Sequence, residues 1–144
     1  MISDYPLITL GSPMGIGYEI FLIVVKNNFF SKPPFCVGSK TVLNYFTNLL
    51  GISTNFKVIN SDIVKSTIVK ETKNFDFYMI DVDDKEFVID DILKISKEID
   101  GMIAYRSIRE AGLLVKNGLF KSITTLPVTK ENINLIDKDF YGHT

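Results

Sequence analysis

Apolar residues fall into short runs set apart by glycine, proline and polar intervals, a pattern of alternating strands and helices. Leu7-Ile8-Thr9-Leu10 reads as a strand that stops at Gly11. Residues 12–17, Ser-Pro-Met-Gly-Ile-Gly, form a loop punctuated by glycine and proline. A helix is predicted over 18–26, with Glu19 in the first turn, where a carboxylate suits the positive end of the helix dipole. Its apolar character on nearly every side predicts that other elements cover it.

A second unit follows. Residues 35–38 are a buried-strand candidate, and Ser39 is placed to cap a helix over 40–50 that Gly51 closes. Val42, Leu43, Phe46, Leu49 and Leu50 recur there at helical spacing. Strands are predicted over 56–59 and 75–81, whereas the polar stretch 60–74 carries no clear period. Residues 90–117 have a long helical pattern ended by Gly118, with a break expected near Gly101. Ile103, Ile108, Ala111, Leu114 and Val115 are its core candidates. A buried strand over 122–126, closed by Pro127, and a helix over 130–135 complete the series. This alternation predicts an α/β fold with a mainly parallel sheet flanked by helices, at a length suited to one domain or half of a larger one.

Composition narrows the function classes. Sixteen basic residues against seventeen acidic ones leave a net charge of -1, so there is no positive field to hold a nucleic-acid backbone. The single cysteine, Cys36, cannot form an internal disulfide, which fits a reducing cytoplasm, and its apolar surroundings predict a buried strand residue. No basic stretch precedes an apolar segment at the N-terminus, and the most apolar window, residues 20–25, is far shorter than the roughly 20 residues of a membrane span. A soluble, cytoplasmic protein without membrane contact is expected.

Ligands in open α/β sheets gather beyond the carboxyl ends of the strands, where the loops 11–17 and 126–130 should lie. Gly11, Gly15 and Gly17 let the backbone approach a ligand closely, or simply make a tight strand-to-helix connection. Their spacing is not the dinucleotide pattern G-x-G-x-x-G. His143, the only histidine, stands beside Thr144, and the pair could grip a phosphate or carboxylate or serve a structural end. The acidic group Asp81, Asp83, Asp84 and Glu86 reads as a solvated turn rather than a cation site, because no histidine accompanies it.

Three segments, in order, resemble one family. Gly11-Ser12-Pro13-Met14-Gly15-Ile16-Gly17-Tyr18-Glu19 resembles the opening motif G-D-P-A-G-I-G-P-E of the 4-hydroxythreonine-4-phosphate dehydrogenases, the PdxA family of vitamin B6 synthesis. Thr125-Leu126-Pro127-Val128-Thr129-Lys130-Glu131 resembles its T-A-P-[IV]-[NH]-K-E segment, and Phe140-Tyr141-Gly142-His143-Thr144 resembles F-P-G-H-T. Ser12, Met14, Tyr18 and Thr129 depart from those motifs.

The resemblance covers essentially the whole chain and implies the N-terminal portion of a two-lobed subunit similar to isopropylmalate dehydrogenases, incomplete here because the remaining lobe is absent. It implies oxidation and decarboxylation of 4-phosphooxy-L-threonine with NAD or NADP, in a homodimer. It implies a divalent metal held by three histidines, all beyond residue 144, so no metal ligand is expected within the chain. It also implies that His143 and Thr144 contact the phosphorylated hydroxy amino acid substrate. The 144 residues alone are then expected to be inactive, and their uncovered apolar surface to drive association. Two other readings stay open: a non-catalytic remnant binding a phosphorylated metabolite or partner, and a dehydrogenase of another phosphorylated hydroxy acid.

Overall fold

The computed structural model describes residues 3–70, 75–85 and 87–140. Strand β1 (Leu7–Thr9) leads to helix α1 (Gly17–Lys26), then β2 (Phe35–Gly38), α2 (Lys40–Leu50) and β3 (Phe56–Ile59). The chain continues through α3 (Val64–Val69), β4 (Phe77–Asp81), α4 (Lys97–Lys116), β5 (Thr124–Thr125) and α5 (Lys130–Ile133). All strand pairings are parallel, in the order β3-β4-β2-β1-β5. The α/β class and the parallel sheet expected from the hydropathy pattern are what the chain adopts.

Parallel strands must be covered on both faces, which is why β1 and β2 are buried at every position. Alternate residues serve two cores. Ile8, Cys36, Phe77 and Met79 meet Tyr18, Phe21 and Leu22 of α1 and Val42, Leu43 and Phe46 of α2. On the other face Leu7, Phe35, Val37 and Tyr78 meet Val64 and Ile68 of α3 and Ala111 and Leu114 of α4. Aromatic rings reinforce the strand register: Phe56 and Phe77 are register partners stacked at 4.8 Å, and Phe35 and Tyr78 at 4.9 Å. Full burial of Phe35, Phe77 and Tyr78 contributes about 1.5–3 kcal/mol each.

Several expected boundaries move. The buried strand expected over 122–126 pairs only at Thr124–Thr125 and is not buried there, because it is an edge strand whose sole neighbour, β1, is three residues long. The helix expected from 90 begins with a separate 3-10 turn, Ile92–Lys94, and restarts where the Ser96 side chain accepts from the Ile99 amide. It then runs unbroken through Gly101. Ile103, Ala111 and Leu114 are core residues as expected, whereas Ile108 and Val115 are half-buried. The unassigned 60–74 stretch holds a 3-10 turn at Ser61–Ile63 and then α3. Helix α1 is not covered all round: Ile16, just ahead of it, and Ile20 and Ile23 on its outer side are 57%, 38% and 46% exposed.

Candidate functional site

Strands β1 and β5 lie side by side and parallel, yet β1 leads to β2 on one side and β5 sits on the other, so the order in which strands are added reverses between them. The loops that leave their carboxyl ends are the two singled out in the sequence, and they are hydrogen-bonded to each other. The Ser12 amide donates to the Pro127 carbonyl at 3.0 Å, and the Ser12 hydroxyl accepts from the Thr129 amide at 2.7 Å. The Leu126 amide donates to Thr9 at 3.0 Å, joining the second loop to the end of β1. Ser12 is 1% exposed, so these bonds are made away from water, where leaving one unmade is costly.

Glycine permits this closeness. Gly11 has φ +82, and a Cβ there would lie 2.3 Å from the Pro127 carbonyl oxygen. A Cβ on Gly17 would lie 2.1 Å from the Leu10 carbonyl oxygen. The first loop is thus a close backbone contact with the second, a role any side chain would block. Its conformation leaves α1 with Ile16 at the N-cap position and no side-chain cap.

From the second loop the chain enters α5, whose Asn132 is buried, and then turns through residues 134–140, where the Phe140 amide donates to the Asp137 carbonyl. His143 and Thr144, with Tyr141 and Gly142, lie outside the described residues. The structure therefore brings together Ser12, Thr129 and the glycines, and carries the chain from them to within a few residues of the expected substrate pair.

The other strand-end corner is organised differently. Asp81 at the end of β4 accepts from the Lys40 amide at 3.0 Å and the Asp83 amide at 3.1 Å, and Asp83 accepts from the Thr41 amide at 3.1 Å. The buried Ser39 hydroxyl accepts from the Val42 amide, as its cap position predicts. Asp81 and Asp83, read in the sequence as part of a solvated turn, are in fact caps on the first turn of α2. Burial holds the Asp81 carboxyl above the ordinary aspartate value, against the pull of those amides. Asp84 pairs with Arg106 at 2.6 Å, and Glu86 lies outside the described residues.

Arg106 and Arg109 of α4 line a 460 Å³ crevice beyond β3 and β4 that also contains Asp81 and Glu110. Sequence reasoning missed it because those residues lie inside a helix and face β4 only after folding. Cys36 is fully buried, and burial raises its thiol far above the ordinary cysteine range, so it is a packed strand residue and no nucleophile. Among the described residues no three histidine, cysteine or acidic side chains gather as a metal site. No described helix is long and apolar enough to cross a membrane.

Comparison with known proteins agrees with this architecture. The chain is 26% identical over 150 aligned positions to a Clostridium botulinum protein named for D-threonate 4-phosphate dehydrogenase activity, covering all of this chain and 42% of that protein. It superposes on the 4-hydroxythreonine-4-phosphate dehydrogenase of Klebsiella pneumoniae with TM-score 0.75 and 24% identity, covering 98% of this chain and 42% of the other. The enzyme of that name from Burkholderia phymatum gives TM-score 0.74 and 20% identity, over 98% and 42% of the two chains. The chain thus spans about 42% of the length of these relatives. The family model described as pyridoxal phosphate biosynthetic protein PdxA matches residues 31–144, and with two interlocked loops at the reversal point of a parallel sheet, the chain belongs to the PdxA family.

Proposed function

We propose that this chain forms the N-terminal portion of a homodimeric NAD(P)-dependent dehydrogenase of 4-phosphooxy-L-threonine in pyridoxal phosphate synthesis, and that the 144 residues alone bind substrate without turning it over. The observation that carries the reading is the family match over residues 31–144, which includes both the second loop and His143–Thr144. In this reading the second loop, held to the first by the bond between Thr129 and Ser12, forms one wall of the pocket, and His143 and Thr144 contact the substrate. The imidazole and hydroxyl bind and orient the phosphorylated hydroxy acid by hydrogen bonding. The chain has one histidine, too few for the usual three-ligand catalytic metal site, so oxidation needs residues beyond these.

D-threonate 4-phosphate is a second substrate reading, favoured by the name of the Clostridium botulinum relative. Calorimetric titration of the chain with each phosphorylated acid, beside an assay of NADH formation with added divalent metal, tests both. Binding of one acid without NADH formation, weakened about tenfold by His143→Ala, is expected. Absence of binding to either acid overturns the substrate assignment, and NADH formation by the chain alone overturns the division of labour.

A further inference from the structure

Asp100 is fully buried in the first turn of α4, although a carboxylate so placed is costly unless its charge is met by donors. Among the described residues each oxygen meets one donor. One accepts from the Met14 amide at 2.9 Å, and the other accepts from the buried Asn132 side-chain amide at 2.9 Å. Asn132 in turn donates its backbone amide to the Thr129 carbonyl at 3.1 Å, and the Thr129 amide reaches the Ser12 hydroxyl at 2.7 Å. Ser12 is joined through Pro13 to Met14, so four hydrogen bonds close a circuit through both loops, α4 and α5.

Gly101, the next residue, lets α4 come close enough for this. A Cβ there would lie 2.0 Å from the Asn132 carbonyl oxygen. Helix α4 lies against β1 and β2, so the circuit refers both loops to the sheet itself.

We infer that Asp100 is a positioning residue: its carboxylate sets the separation of the 11–17 and 126–130 loops and the direction in which α5 leaves them. It acts through Met14 and Asn132. The assignment deepens the substrate-site reading and rests on it for its functional consequence, whereas the positioning itself is a property of the folded chain.

Amide exchange on the isotopically labelled 144-residue chain tests it, comparing Asp100→Ala, Asp100→Asn and Asn132→Ala. In Asp100→Ala the Met14 amide is expected to exchange at least about tenfold faster, while Val37 and Met79 amides at the sheet centre keep their rates. Asp100→Asn retains an acceptor for Met14 and is expected to restore most of the protection. Asn132→Ala removes one bond only and, if Asp100→Ala does not fold, is expected to loosen the 126–133 segment without altering the sheet. Unchanged Met14 exchange in Asp100→Ala, a uniform acceleration at every amide, or an Asp100→Asn variant no better than alanine would overturn the inference. So would an Asn132→Ala variant whose 126–133 amides keep their wild-type rates. Affinity for the phosphorylated acid is expected to fall about tenfold in Asp100→Ala. Failure of the wild-type chain to bind that acid counts against the substrate reading alone, since the exchange rates still judge Asp100.

Discussion

Two corners at the carboxyl edge of the same sheet treat the helix that follows in opposite ways: one caps its first amides with side chains and the other does not. At the end of β2 and β4, Ser39, Asp81 and Asp83 supply acceptors to three successive amides of α2, so the chain satisfies that helix start by itself. At the end of β1 and β5, glycines bring backbone against backbone, and α1 begins without a side-chain cap. The first corner is built from side chains and is closed to an incoming anion by its own carboxylates. The second is built from close approach and depends on one buried carboxylate further along the chain. Equivalent places in a repeated βα unit need not have equivalent uses: the residues after the strand decide whether a helix start is already filled.

The strongest way to break the contrast is to add a methyl group. Gly101→Ala would drive a Cβ into the Asn132 carbonyl and is expected to destabilise the chain by about 3 kcal/mol in urea denaturation. Gly112→Ala, in the same helix but exposed and with nothing within 4 Å, is expected to stabilise it by about 0.5–1 kcal/mol. Equal effects at the two positions would mean that helix propensity, rather than the α4–α5 contact, governs both.

At the other corner Ser39→Ala removes the α2 cap and is expected to cost about 1–2 kcal/mol by the same measurement. No change there would show that Asp81 and Asp83 carry the capping unaided.

The smallest effect concerns charge. Because the folded-state value of Asp81 is raised, its ionisation opposes folding. That opposition is complete above the raised value, shrinks as pH falls through it, and vanishes below the unfolded value. Asp81→Asn keeps an acceptor for Lys40 and removes the ionisation. Its melting temperature is therefore expected to gain on wild type above the raised value and to converge with it at lower pH. A gap that widens toward acid would reverse the sign of the Asp81 contribution.

How much of this was legible in the sequence depended on the reach of each interaction. Helix α2 was readable in full, from the Ser39 cap to Gly51 with φ 64, because its signals lie within the helix and one residue either side. The two loops were readable as glycine- and proline-rich strand ends, and the family resemblance drew attention to Ser12 and Thr129. Their bond was not readable, since it joins residues 117 positions apart. Gly101 misled in an instructive way: glycine in a helix pattern suggests a break, but here the helix continues and the missing side chain makes room for α5. Asp100 was not singled out in the sequence at all, and only its contacts 86 positions back and 32 positions forward reveal a buried carboxyl group between two donors.

By itself the sequence determined the α/β alternation, the apolar faces of the strands and the identity of the loops, because periodicity and turn chemistry act over a few residues. Tertiary structure alone decided which strand-end corner closes on itself and which is drawn together around Asp100. Those outcomes depend on groups that meet only when the parallel crossovers have brought distant segments side by side, and a buried hydrogen bond exists only where its partner does.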